Sequence, residues 1–414
     1  MRIAILGTRG IPANYGGFET FAEELSWRLA ARGHDVTVYC RSNRYKHDRA
    51  PFYRGVRRRL LPTIPLKHTD TVVHGFLSAW HAAFGSYDAV YFCNTANGLW
   101  TLIPRLFGKR VVINVDGLEW ERRKWGMLGR WWHRLGARMC TIFPHAIVTD
   151  ARVIYDYYKK TFDAESYLIP YGAPTQRIET TETLERFGLK PRRYILYVSR
   201  FEPENNPDKV VRAFEQVKTD LRLVMVGDAP YAADFIREVK ATHDPRILFT
   251  GCVYGPGYTE LQSHAFSYVH ATEVGGTHPA LIEAMGLGNC VLVNSTPENL
   301  EVMGNAGVPF DAHRPEDLAA KLQHLVDHPE IAEDHRVRAV KRIQDYYNWD
   351  RVADLTEEMC KDLLQGRPRP GLRWVPDSKP RPVASFPPGE PTGSAHAGPA
   401  KVVAKSGATG PALR

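Results

Sequence analysis

Short apolar runs ending in glycine or a polar residue recur along this chain, each followed by a stretch with helical spacing, and the series restarts near the middle. "MRIAILG" (1–7) reads as a buried strand broken by Gly7. "GGFETFAEELSWRLAARG" then reads as a helix, with Phe18, Phe21, Leu25 and Leu29 on one face and Gly33 as its stop. "HDVTVYC", "YDAVYFC", "KRVVINV", "HAIVTD" and "SYLIPYG" continue the strands. After Pro174 the alternation begins again with "RRYILYVSR", the helical "DKVVRAFEQV", "LRLVMVG", "RILFTG", "SYVHATE" and "NCVLVN". Strands alternating with helices fold as parallel sheets covered on both faces. The expected fold is therefore α/β, two doubly wound Rossmann-like domains facing a cleft. Their boundaries fall at 1–174 and 175–345. A last helix, "WDRVADLTEEMCKDLL" within 346–365, would return to the first domain. From 366 to 414 the chain is basic, rich in Pro, Gly and Ala, and aperiodic, which predicts disorder.

A length of 414 residues suits two cores rather than one. No apolar run approaches the eighteen or so residues of a membrane span, and "IAIL" before Gly7 is too short for a signal-peptide core, so a cytoplasmic protein is expected. The six cysteines are scattered without a Cys-x-x-Cys pair, which fits reduced thiols rather than zinc or disulfides. A net charge of +8 implies an anionic partner without saying which.

Four strand ends carry candidate chemistry. In "GTRGIPANYGGFET", Gly16 and Gly17 open a helix whose N-terminus can receive an anion, or they serve tight-turn geometry alone. The spacing is not Gly-x-Gly-x-x-Gly, and Arg41 stands where a dinucleotide site keeps an acid. In "VVINVDGLEWERRKW", Asp116 and Glu119 either accept hydrogen bonds from sugar hydroxyls or form a helix capping box. In "YILYVSRFEPENNPDK", Arg200 either reaches a phosphate or makes a surface ion pair. No Asp-x-Asp pair supports a metal-held diphosphate, so neither metal nor cofactor is expected.

The stretch "HATEVGGTHPALIEAMGLGN" (270–289) is the fourth. A strand ends at Glu273, a bend holds Gly275, Gly276, Thr277 and His278, and the helix "ALIEAMGLG" carries Glu283 in its first turn. Bend amides aimed into a cleft would bind anions and hydroxyls, and the two carboxylates would accept from a ribose diol and a sugar ring. Between Trp120 and Cys140, four tryptophans alternate with six basic residues against the single acid Glu121. That composition suits an anionic membrane surface, or equally a helix with a packed aromatic face and a solvated basic one.

Together, "GTRGIPANYGGFETF", "NVDGLEWERRKW", "RFEPENN" and "VGGTHPALIEAM" resemble glycosyltransferase family four, retaining enzymes of the GT-B fold, and within it a rhamnosyltransferase-like subgroup of bacterial surface-polysaccharide biosynthesis. The resemblance covers about residues 1–365. It implies an N-terminal acceptor domain and a C-terminal domain for a nucleoside-diphosphate sugar. It further implies transfer of a hexosyl or deoxyhexosyl group to a hydroxyl of a glycan or lipid-linked acceptor, with no nucleic acid involved. Glu273, Arg200 and Asp116 would be catalytic. Glu283, Gly275, Gly276, Thr277, His278, Asn205, Lys209, Gly16 and Gly17 would bind donor, and Arg9, Glu119 and Trp120 acceptor. The chain departs from the family in three places. Asp116 replaces a histidine, Asn205 replaces the lysine that shares the phosphate charge, and nine residues rather than seven separate Glu273 from Glu283. Lys209 or Arg9 would compensate for the lost lysine. A nucleotide-sugar epimerase of this fold and a catalytically silent scaffold of a polysaccharide assembly complex are the alternatives.

Overall fold

A computed structural model describes residues 1–13, 16–64, 69–122, 125–229 and 232–371. The first domain holds an eight-stranded sheet: β1 (Arg2–Leu6), β2 (Asp35–Arg41), β3 (Phe52–Tyr53), β4 (Val56–Leu61), β5 (Ala89–Cys93), β6 (Arg110–Asn114), β7 (Ala146–Thr149) and β8 (Tyr167–Leu168). Its order is β3-β4-β2-β1-β5-β6-β7-β8, parallel throughout except the β3–β4 hairpin. The second holds β9 (Tyr194–Val198), β10 (Arg222–Val226), β11 (Ile247–Gly251), β12 (Ser267–His270), β13 (Cys290–Asn294) and β14 (Gly307–Phe310). Their order, β11-β10-β9-β12-β13-β14, is parallel throughout.

Both orders reverse beside their first strand, at β1/β5 and at β9/β12, and such switch points open a crevice at the strands' carboxyl ends. Burial explains the element choices. Ile3, Ile5, Val36, Val38 and Tyr91 pack against Phe21, Leu25 and Leu29 of the helix Gly17–Ala31. Ile195, Tyr197, Leu223 and Met225 pack against Val210 and Phe214 of the helix Pro207–Glu215.

The chain crosses between the domains twice, and the crossings meet where the Ala173 amide donates to the Tyr347 carbonyl at 2.8 Å. The last helix, Trp349–Leu364, lies on the first domain. Trp349 sits 6.3 Å from the ring of Phe21, Arg28 Nε donates to Asp350 Oδ1 at 2.9 Å, and Arg32 pairs with Asp354 at 2.9 Å. Beyond it the chain stays ordered to Gly371, whose amide donates to the Ser166 carbonyl at 2.9 Å beside β8. Residues 366–371, expected to be disordered with the rest of 366–414, are thus ordered, and 372–414 lie outside the described residues. No described helix is long and apolar enough to cross a membrane.

Candidate functional site

The facing switch points enclose a cleft of about 1770 Å³ lined by loops from both sheets. On the first domain these follow β1 (Gly7, Arg9, Gly16, Gly17), β5 (Asn94) and β6 (Asp116, Glu119, Arg122). On the second they follow β9 (Ser199, Arg200, Asn205), β10 (Gly227, Asp228), β11 (Cys252–Gly255 and Tyr258) and β12 (Thr272, Gly275–His278), together with Glu283.

The glycine-rich loop after β1 is held by the helix that follows it. Glu19 Oε1 accepts from the Arg9 amide at 2.8 Å, and Glu23 Oε2 accepts from the Ala13 amide at 2.6 Å. A side chain at Gly17 would bring its Cβ to 2.8 Å from Pro279 Cγ, so the openings of two helices from opposite domains touch here. A second contact between the domains is made by buried Asp150, just past the end of β7. Its Oδ2 accepts from the Thr277 amide at 2.7 Å, and the Thr277 hydroxyl donates to the Asp150 carbonyl at 2.7 Å. Gly276 lies so close to that carboxyl that any Cβ would strike it. Burial, then Asp116, pushes the Asp150 carboxyl well above its usual range. The Thr277 amide is therefore committed to the other domain and does not point into the cleft, contrary to the expectation for the bend.

Asp116 takes a left-handed conformation, φ 53°, immediately after β6. Burial, reinforced by Glu119, raises its carboxyl to about 6, while Arg122 and the Tyr171 hydroxyl pull the other way. Asp116 does not cap a helix: the short 3₁₀ turn Glu119–Glu121 begins after Leu118 without a side-chain cap. Glu119 instead accepts from Arg122 Nε at 2.8 Å and from Trp125 Nε1 at 3.2 Å.

The cations converge across the domain boundary. Arg200 Nη1 stands 3.5 Å from Glu202 Oε1, and Arg122 Nη1 of the first domain stands 4.0 Å from Glu202 Oε2. Burial disfavours the charge on Arg122, but Glu119, Asp116, Glu202 and Glu204 outweigh it and hold the guanidinium charged. Asn205, in the place of the familiar lysine, spends its side chain on the Arg200 carbonyl at 2.7 Å and so fixes the loop that carries that arginine. Sequence reasoning passed over Arg122 because it sits in the run "ERRK", which reads as a basic surface.

Glu283 lines the cleft, half-buried, and its Oε2 accepts from the Tyr258 hydroxyl at 2.6 Å. Burial raises the Glu283 carboxyl to about 7; the Tyr258 bond lowers it and Glu24 of the facing domain raises it further. His278 also lines the cleft, but its ring is braced between Asn299 Oδ1 at 3.0 Å and the Val274 carbonyl at 3.3 Å, with burial lowering it to about 4. It packs on His270, whose Nε2 is buried without a hydrogen-bond partner and whose burial keeps it neutral.

Three expected site residues lie elsewhere. Glu273 faces away from the cleft: its Oε1 accepts from Asn206 Nδ2 at 2.9 Å and lies 3.8 Å from both Lys209 Nζ and His313 Nε2. Lys209 belongs to that same outer cluster, which bars it from replacing the missing lysine in the cleft. Trp120 is 6% exposed and packs against Tyr157 in the core of the first domain. Among the described residues no cluster of three or more His, Cys, Asp or Glu is placed to hold a metal ion.

Comparison with known proteins matches both halves of the chain. Residues 15–177 match the family described as Glycosyltransferase Family 4, and residues 192–328 the one described as Glycosyl transferases group 1. An O-antigen chain mannosyltransferase B of Escherichia coli is 24% identical over 159 residues, 37% of this chain. That stretch spans 41% of the length of the relative. Among solved structures, sucrose-phosphate synthase from Thermosynechococcus elongatus superposes with a TM-score of 0.75 at 18% identity, over 88% of this chain and 99% of that one. Anabaena HepE in complex with UDP-glucose gives 0.70 at 13%, over 87% and 100%. WaaG, a glycosyltransferase involved in lipopolysaccharide biosynthesis, gives 0.64 at 16%, over 88% and 100%. Each half of the chain thus matches a glycosyltransferase domain family, and the two are joined on a GT-B frame.

Proposed function

We propose that the protein transfers a hexosyl or deoxyhexosyl group, rhamnosyl among the candidates, from a nucleoside diphosphate to a hydroxyl of a glycan or lipid-linked glycan in polysaccharide biosynthesis, with anomeric configuration retained. The observation that carries this reading is the meeting of Arg200 and Arg122, from opposite domains, at the facing switch points of two parallel sheets. Guanidinium groups there suit a diphosphate, whose charge grows as the glycosidic bond breaks. The relatives add weight, since one is named for mannosyl transfer to O-antigen and another holds UDP-glucose.

In this reading Arg200 and Arg122 bind the donor diphosphate, and Arg122 takes the share of charge that a lysine at 205 would otherwise neutralise. Glu283 accepts from the ribose diol. The Gly275 and Gly276 backbone and the helix opening at Gly16–Gly17 border the sugar, and Asp116, Glu119 and Arg9 border the acceptor. The bond from the anomeric carbon to phosphate oxygen breaks while the acceptor oxygen bonds to that carbon on the same face. The acceptor proton passes to the departing phosphate oxygen, so no enzyme nucleophile is needed. The interlocked loops at Asp150–Thr277 and Gly17–Pro279 exclude water from that step.

Titrating the protein with a panel of nucleoside-diphosphate sugars by calorimetry tests the reading. At least one should bind, and Arg122→Ala should weaken that binding; a panel in which none binds rejects it.

A further inference from the structure

The helix Met127–Cys140 turns one stripe inward, along Gly129, Trp132, His133 and Gly136. A Cβ on Gly136 would lie 2.2 Å from the Thr95 carbonyl oxygen, and one on Gly98 2.3 Å from the Gly136 carbonyl oxygen. The helix and the turn Thr95–Thr101 therefore meet backbone to backbone. That approach carries Trp132 and His133 to the wall of the cleft, where Trp132 Nε1 donates to the Ala96 carbonyl at 3.3 Å. Trp125 completes the wall. Its ring lies 4.7 Å from that of His133, and a Cβ on Gly129 would come within 2.9 Å of it. The aromatic residues of the stretch Trp120–Cys140 thus turn mostly inward, while Arg130, Arg134 and Arg138 are exposed and Trp131 is 57% exposed. Arg123 and Lys124 of that stretch lie outside the described residues.

Beside the aromatic wall stand polar groups already paired with one another. Trp125 Nε1 donates to Glu119 Oε2 at 3.2 Å, and the other oxygen of Glu119 accepts from Arg122 Nε at 2.8 Å. Arg41 Nη1 donates to Asp70 Oδ2 at 2.5 Å and its Nη2 to Thr71 Oγ1 at 3.2 Å. Among the described residues, Glu19, Glu23, Glu24, Asp116 and Glu119 line the first-domain half of the cleft against Arg9, Arg41 and Arg122. An acceptor that brought a phosphate here as its reacting end would meet an excess of negative charge. A sugar ring meets what its two kinds of surface require. The C–H groups of one face lie flat on an indole, and the hydroxyls of the rim reach carboxylates and guanidinium groups.

We infer that the first-domain half of the cleft binds an uncharged pyranose, stacked on Trp125, as the reacting end of the acceptor. The run Trp125–Glu119–Arg122 joins this wall to the guanidinium proposed for the donor diphosphate, which sets the two substrates side by side. Resting on the transferase reading, the site makes the protein an enzyme of chain extension. Its acceptor must come from a reaction that has already placed a sugar on the growing molecule.

Saturation-transfer NMR observed on the ligand tests the inference with the full chain. The neutral probes are the α-methyl glycosides of rhamnose, mannose, glucose and galactose, and the charged probe is geranyl phosphate. At least one glycoside should receive saturation, most strongly at the C–H protons of one ring face when aromatic protein resonances are irradiated. Trp125→Ala should weaken that binding roughly tenfold and Trp125→Phe less, while Trp131→Ala on the exposed side of the helix should leave it unchanged. A preserved melting midpoint shows that each variant is folded. The glycosides are added without donor, so a glycoside that binds while no nucleotide sugar does rejects the transferase reading and leaves this site standing. The inference is overturned if none of the glycosides binds, if geranyl phosphate binds in their place, or if a folded Trp125→Ala protein binds them like the parent.

Discussion

Glu283 permits a test in which pH is the perturbation. The cleft raises its carboxyl from the usual 4.5 to about 7, chiefly by burial. That shift corresponds to about 3 kcal/mol against the charged form, somewhat less because the group keeps partial contact with solvent. The sign follows from proton counting. Between 4.5 and about 7 the unfolded chain has released a proton that the folded protein still holds, so stability falls as pH rises through this window and the full cost is present above it. Glu283→Gln should therefore stabilise the ligand-free protein at about pH 8 and make little difference at about pH 5. Binding runs the other way. Only the ionised carboxylate can accept from both hydroxyls of a ribose diol, so donor affinity should fall as pH drops through about 7. From about pH 8 to about pH 5.5 the ionised fraction of such a group falls roughly thirtyfold, which sets the limit on the loss. A nucleoside-diphosphate sugar is the right probe, because its diphosphate diester has no proton to exchange in this range. Calorimetry across the range should show weakening for the parent and a flat, weaker profile for Glu283→Gln. If the variant keeps the slope, or the parent profile is flat, Glu283 does not hold the ribose. A slope centred near 6 that disappears in Asp116→Asn assigns the titration to Asp116 instead.

Arg122→Ala and Arg200→Ala should each weaken donor binding by roughly ten- to a hundredfold, as charged hydrogen bonds of about 1.5–3 kcal/mol do, and unchanged affinity for UDP-, GDP- and dTDP-sugars alike rejects either role. Glu273→Gln should turn over within about twofold of the parent, since its carboxylate bonds to Asn206 outside the cleft; a hundredfold fall in kcat would put it back against the sugar. Asp150→Ala leaves the Thr277 amide without its acceptor and should cost about 1–3 kcal/mol in chemical denaturation, while Asp150→Asn, which keeps a carbonyl oxygen there, should recover most of it.

What could be read in advance depended on whether a residue's surroundings lay in its own segment. The central strands could be read, because a parallel strand covered on both faces must be a continuous apolar run, as "RIAIL", "YILYV" and "CVLVN" are. The β3–β4 hairpin was hidden by "VRRRLL", where Arg58 points inward as a buried guanidinium bonded to Asp48, a pairing ten residues away that no apolar pattern signals. The cross-domain partners Asp150 and Arg122 were hidden for the same reason: each acquires its role from a loop of the other domain. Glu273 is a different case, since its direction follows from the pleat. Side chains alternate along an extended chain. His270 and Thr272 line the cleft, so the next residue faces the other way, to Asn206, Lys209 and His313. A carboxylate one position past a cleft-facing residue is a brace for the bend rather than a contact for the sugar. The two-residue excess between the glutamates places Gly275 where the usual spacing would put the first of them. In the proposed reading the sugar-facing role therefore passes to the backbone of that bend, and Glu283 is the carboxylate of this segment that would hold the donor.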